Sequence, residues 1–186
     1  MLDAPLIART GLGTLAGGVP HNVCQTASLQ IVEEPGLNLA TVRLSSKQPD
    51  HSLVAAYLAS LKLTQPTQRN GLSGDAQLGC AWIEPRAWFL ASVNPLKLDA
   101  APQGLLVTEV YARQVSFRIR GKQAREVIAS GCDASILGPG RCARTRYSNF
   151  TVLLQQWAED DYRMLADVSM GPALADWLRD AASALN

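Results

Sequence analysis

The sequence of 186 residues predicts an α+β protein: two small subdomains of mostly antiparallel sheet, with helices packed on one face. Three observations carry this. Short apolar runs alternate with polar residues at strand period. Only three stretches space their apolar residues as helices do. The order of strand, helix and then a pair or trio of strands occurs twice along the chain, which leaves room for a distant internal duplication.

Residues 1–36 are weakly patterned and read as an N-terminal arm. Within them "TGLGTLAGGVP" superficially imitates a dinucleotide fingerprint, with Gly11, Gly13 and Gly17. Ala16 occupies the place of the third glycine and Pro20 soon blocks a helix, so the spacing fails. Residues 37–100 form a first βαββ half. "LNLATVRLS" alternates as a strand, and "PDHSLVAAYLASLKL" is a helix with Asp50 as N-cap and Leu53, Val54, Tyr57, Leu58 and Leu61 on one face. "TQPTQRNGLSGD" is turn-rich. "LGCAWIEP" and "AWFLASV" are two strands bent at Glu84-Pro85-Arg86, and "NPLKLDAAPQG" is a linker.

Residues 101–186 form a second, βαβ-rich half. "VSFRIRG" is a strand with Val115, Phe117 and Ile119 on one face and Ser116, Arg118 and Arg120 on the other. "KQAREVIASG" is a short helix burying Ala124, Val127 and Ile128, with Gly131 suited to a left-handed C-cap and Cys132 packed beneath it. "RCARTRY", "FTVLLQQW" and "DYRMLADV" are strands. "GPALADWLRDAASAL" is a final helix with Pro172 in its first turn and Leu174, Trp177, Leu178, Ala181 and Leu185 on its stripe.

Hydrophobic residues at 47 % and charged residues at 18 % exclude a disordered chain. Seventeen basic against sixteen acidic side chains leave a net charge of +1, which disfavours a nucleic-acid binder. No apolar run reaches the ~20 residues that span a bilayer, and "MLDAPLIARTG" does not read as a secretory signal. Cys24, Cys80, Cys132 and Cys142 are scattered without a C-x-x-C pair, and His21 and His51 lie near neither a cysteine nor a carboxylate cluster. The reading is a cytoplasmic protein with reduced, mostly buried thiols and no metal site.

No catalytic constellation emerges. His51 reads as a first-turn surface residue. No serine or cysteine sits in a nucleophile elbow, and Cys142, beside Arg141 and near Arg144, is the one thiol placed where cations could lower its pKa, although a strand cysteine facing a core is ordinarily inert. Charge is segregated instead. Arg113 to Arg146 holds eight basic residues against two acids, and Gln155 to the C-terminus holds six acids against two arginines. Arg144 and Arg146 share a strand face, as do Arg118 and Arg120. If those two strands are neighbours, the four form one outward patch, extended by Lys122 and Arg125, while Arg141 takes the other face of its strand with Ala143, Thr145 and Tyr147. Such a patch suits docking to an acidic surface. A solvated strand face and a site for a polyanion or for folate, with its carboxylate tail, are the alternatives.

"VSFRIRGKQAREVIASGCDASI", followed by "GPGRCARTRYSNFTVLLQQWAEDDYRMLADVSMGPALADWL", resembles the gamma subunit of heterotetrameric sarcosine oxidases. More distantly it resembles the N-terminal domain of the glycine-cleavage aminomethyltransferase family. The matching features are Gly121 with Ala124 and Arg125, Gly131-Cys132-Asp133, Gly140 with Cys142-Ala143-Arg144-Thr145, Asp161-Tyr162-Arg163 and Trp177-Leu178. In the first half, Pro85, Trp88 and Leu90 of "GCAWIEPRAWFL" match a "P-x-x-W-x-L" strand. The resemblance covers roughly residues 78–180. It implies an accessory, non-catalytic subunit that binds no cofactor. Arg118, Arg120, Lys122, Arg125, Arg141, Arg144 and Arg146 then serve as its contact residues toward larger subunits. Those larger subunits would carry FAD, FMN, NAD and tetrahydrofolate. Folate-using relatives place an acid after a glycine-rich turn where this chain has Val152, Leu153 and Leu154. A stand-alone folate- or tRNA-linked binding protein of the same superfamily is the second expectation, and an enzyme acting through Cys142 the third.

Overall fold

The computed structural model describes residues 21–45, 50–98, 100–110 and 113–185; the glycine-rich imitation of a fingerprint lies outside them. Eleven strands and three α-helices follow in chain order. They are β1 (Asn22–Gln25), β2 (Gln30–Glu33), β3 (Asn38–Leu44), α1 (His51–Ser60), β4 (Leu72–Gly74), β5 (Leu78–Glu84), β6 (Ala87–Ser92), β7 (Leu105–Glu109), β8 (Gln114–Arg120), α2 (Ala124–Ala129), β9 (Arg141–Tyr147), β10 (Phe150–Ala158), β11 (Asp161–Asp167) and α3 (Gly171–Ser183).

The strands form two sheets, β4-β5-β6-β3-β7 and β1-β2-β8-β11-β10-β9. All neighbouring strands are antiparallel. The two halves share one connectivity. A first strand (β3 or β8) leads through a helix to three strands that return beside it in the orders β4-β5-β6-β3 and β9-β10-β11-β8. Each half also lends the strand that precedes it. β2 comes just before β3 yet pairs with β8, and β7 comes just before β8 yet pairs with β3. The chain thus crosses between sheets twice, and neither sheet is complete without the other half. Part of the expected N-terminal arm is corrected here, because β1 and β2 fall within residues 1–36 and extend the second sheet.

Four layers result. α1 lies on the outer face of the first sheet, its Val54, Tyr57 and Leu58 packed with Val42, Cys80, Trp88 and Leu90. Asp50 caps it, accepting from the Ser52 N–H at 2.9 Å, as the sequence pattern implies. α2 and α3 cover the outer face of the second sheet through Ala124, Val127, Ile128, Leu174 and Leu178. The inner faces pack on each other, with Leu39, Ala81, Phe89 and Ala91 against Cys142, Leu153 and Leu165. Small residues let the sheets approach: a Cβ on Gly79 would lie 2.2 Å from Cη2 of Trp157 and 2.7 Å from the Asp75 carbonyl oxygen. Gly131 is not a left-handed cap. It makes room for the Tyr147 ring, which would stand 2.5 Å from an added Cβ.

Inner-face packing overturns one expectation about surface. The face of β8 bearing Ser116 and Arg118 was expected to look outward, but both residues are buried, at 3 % and 2 % exposure. An alternating strand says which residues share a face; whether that face meets solvent depends on a second sheet that the strand's own sequence does not specify.

Gly79→Ala is expected to lower stability by about 2 kcal/mol, measured by urea denaturation, because the added methyl forces the sheets apart. Gly138→Ala, whose Cβ would meet nothing closer than 3.9 Å, is the control and should change little.

Candidate functional site

Arg118 and Arg163 stand directly opposite each other on β8 and β11, inside the space between the sheets. Like charges facing each other across a ladder repel, and burying a guanidinium is costly unless it is paired. Two carboxylates answer both demands. Asp161, diagonal to Arg118 on the same ladder, accepts from its Nε and Nη2 and also takes Arg120 Nε at 3.0 Å. Glu34, just after β2, accepts from Arg163 Nε at 2.7 Å and Nη2 at 3.0 Å, from the Ser116 hydroxyl at 2.9 Å, and lies 4.0 Å from Arg118 Nη1. Arg163 Nη2 also donates to the Ala76 carbonyl at 2.8 Å, which reaches across to the first sheet.

Burial by itself would raise the Glu34 carboxyl, yet the hydrogen bonds and charge of Arg163, aided by Arg118 and Ser116, hold it below its ordinary range. Asp161 follows the same pattern: desolvation raises it, and Arg118 with Arg120 more than reverses that. Such an arrangement neutralises and locks. Its bonds tie β2, β8 and β11 to one another and, through Ala76, to the first sheet.

The second ionic cluster lies at the Glu84–Ala87 bend. Arg144 Nη1 donates to Glu84 Oε1 at 2.8 Å, and Arg43 Nη1 lies 3.6 Å from Glu84 Oε2, so β9 is tied to the first sheet. An open groove of about 300 Å³ runs past Arg43, Glu84, Pro85 and Arg86. A smaller cleft of about 190 Å³ opens between the sheets, lined by Thr41, Phe89, Arg113, Gln114, Arg144 and Asp167 among others.

The predicted arginine patch does not form as one surface. β8 and β9 are not neighbours, since β11 and β10 lie between them, roughly 14 Å at ordinary strand spacing. Arg118 is internal. Arg120, Lys122 and Arg125 are exposed at one site, where Arg120 is held by Asp161 and Arg125 lies on the helical side beside Tyr162. Arg144 and Arg146 are exposed on β9, and Arg141 is half-buried on the opposite face of the same strand. Arg43, outside the predicted patch, shares Glu84 with Arg144, and Arg113 lines the intersheet cleft together with Arg144.

One further expectation is corrected, that for His51, whereas Cys142 lies in the core at 1 % exposure, where a strand cysteine is ordinarily inert. Burial pushes its thiol up to about 12, against a small lowering by Arg141, and its Sγ donates to the Gly71 carbonyl at 3.8 Å. His51 is not a free surface residue. Its half-buried ring meets Trp82 and Trp88 edge-on at 5.2 and 5.4 Å and lies 3.3 Å from Gln65 Nε2. Among the described residues no group of three metal-ligating side chains occurs, and no helix is long and apolar enough to cross a membrane.

Val152, Leu153 and Leu154 are buried in the cores on either face of β10.

No family model matches the chain. It is 28 % identical over 141 residues to the sarcosine oxidase subunit gamma of Corynebacterium sp. (strain U-96), covering 69 % of this chain and 68 % of that protein. Its fold matches a chain of the heterotetrameric sarcosine oxidase from Corynebacterium sp. U-96, solved in complex with pyrrole 2-carboxylate. That match has a TM-score of 0.72 and 22 % identity, over 88 % of each chain. It also matches the glycine cleavage system aminomethyltransferase T from Bartonella henselae, with a TM-score of 0.61 and 14 % identity, over 82 % of this chain and 45 % of that one. The resemblance read from the sequence and the α+β fold class are both borne out.

Glu34→Gln is expected to cost about 3 kcal/mol of stability, because it leaves Arg163 buried without its anion. Since Glu34 and Asp161 have folded-state pKa values below the ordinary 4.5 and 3.8, their contribution is complete above those values and is lost as pH falls through the depressed ones. Urea midpoints measured down the acid limb should fall for the wild type and flatten in Glu34→Gln.

Proposed function

We propose that this chain is the gamma-type, accessory subunit of a cytoplasmic, flavin-dependent, sarcosine-oxidase-like complex, which it braces without catalysing the reaction. The observation that carries the reading is the match to sarcosine oxidase subunit gamma over about two thirds of both proteins. FAD, FMN, NAD and tetrahydrofolate belong, in this reading, to the larger subunits. Two features of the chain support it. The intersheet space holds an ion network in which Arg118 pairs with Asp161 and Arg163 with Glu34, and the buried thiols of Cys80 and Cys142 are raised away from reactivity.

Docking falls to the exposed cations. Arg144 and Arg146, with Arg43 across Glu84, form the cationic end. Arg141 lies on the other face of β9, and Arg120, Lys122 and Arg125 are exposed at the far end of the sheet. Arg118 drops out because it is internal. Described aromatic side chains are buried or half-buried, so the apolar component comes from aliphatic residues: Val93, Leu106, Ile136 and Met170 are the exposed large hydrophobics.

Co-expression with large flavoprotein subunits of this class should yield a stoichiometric complex that survives size-exclusion chromatography. Arg146→Glu should weaken assembly about tenfold, with a stronger dependence on salt, and leave the thermal midpoint of the free chain unchanged. Cys142→Ser should leave the complex's turnover unaltered. Turnover of a methylated amino acid by the isolated chain, or a clean monomer that captures nothing under these conditions, overturns the reading.

A further inference from the structure

The outer edges of the two sheets are protected unequally. β4 and β9 shield one another, with Leu72 N–H donating to the Gly140 carbonyl at 2.8 Å and Cys142 N–H to Asn70 at 2.7 Å. β1 is short, irregular between Asn22 and Cys24, and lies against α3. Among the described residues β7 has no such cover. Val110 N–H reaches the Leu39 carbonyl at 2.8 Å and Ser45 N–H the Gly104 carbonyl at 2.9 Å, so the even-numbered residues of this segment face β3. The backbone groups of Val107 and the N–H of Glu109 therefore point away from the sheet, and among the described residues none bonds to them. β7 carries no lysine or proline to blunt the edge, and Leu106 is 56 % exposed.

The other half of the fold indicates what such a position holds. β2 stands to β8 as β7 stands to β3, and β2 has β1 as an antiparallel neighbour on its far side. The first sheet is one strand short of its twin at that place. Row spacing on an edge strand suits only another extended backbone. Arg43, 47 % exposed and directly across the ladder from Leu106, makes the ground beside it cationic, with the Arg86 backbone bonded to Leu44 next to it.

We infer that β7 accepts an extended strand from a larger partner subunit, antiparallel to it, with an apolar residue against Leu106 and an acidic residue toward Arg43. This rests on the accessory-subunit reading. The test is hydrogen exchange on the free chain and on the co-expressed complex, together with Glu109→Pro, which removes an outward N–H and an exposed side chain, and Leu106→Lys. Expected are at least about tenfold slower exchange at the Val107 and Glu109 amides in the complex, and about tenfold weaker assembly for either variant at unchanged thermal midpoint. A complex that assembles while these amides exchange as in the free chain overturns the strand inference and leaves the accessory reading standing. Failure of any complex to form overturns both. Protection that appears in the free chain with rising concentration overturns the partner as its source and assigns the edge to a second copy.

Discussion

Two buried guanidiniums facing each other set the terms for this fold. Arg118 and Arg163 occupy a space that small and aliphatic residues otherwise fill, and they are tolerable there only because Glu34 and Asp161 come between and beside them. Asp161 comes from β11, so it is a local solution along one ladder. Glu34 comes from the segment that leaves β2 in the second sheet for β3 in the first. Its pairing with Arg163 therefore fixes the crossover itself, and the Arg163 bond to Ala76 ties the same guanidinium to the first sheet. The exchange of strands between halves and the neutralisation of buried charge are one arrangement.

Outside that interior the surface charge is divided: cations gather at the Glu84–Ala87 bend and along β9, acids on α3 and the β10–β11 turn, and among the described residues the edge along β7 has no neighbour.

Periodicity made most elements legible. The helix under the Asp50 cap, the β5–β6 hairpin, α3 and the three strands β9, β10 and β11 each combine an apolar rhythm with a punctuating residue, and all lie where that rhythm predicts. β1, β2, β4 and β7 escaped because three to five residues set no detectable period, and their strand character comes from the neighbours they pair with.

What the amino-acid order determined alone is which side chains share a face, where helices start, and the kinship carried by its glycine, arginine and tryptophan spacing. Which faces are inside was settled by tertiary structure. Arg118 and Arg120 alternate as outward residues should, yet a second sheet encloses the first of them and leaves the other in water. Strand order likewise separated Arg118 from Arg144, and a fold-level crossover delivered Glu34 to Arg163 across 129 residues of chain. Local sequence encodes period and capping; burial and long-range charge pairing arise only when distant strands meet.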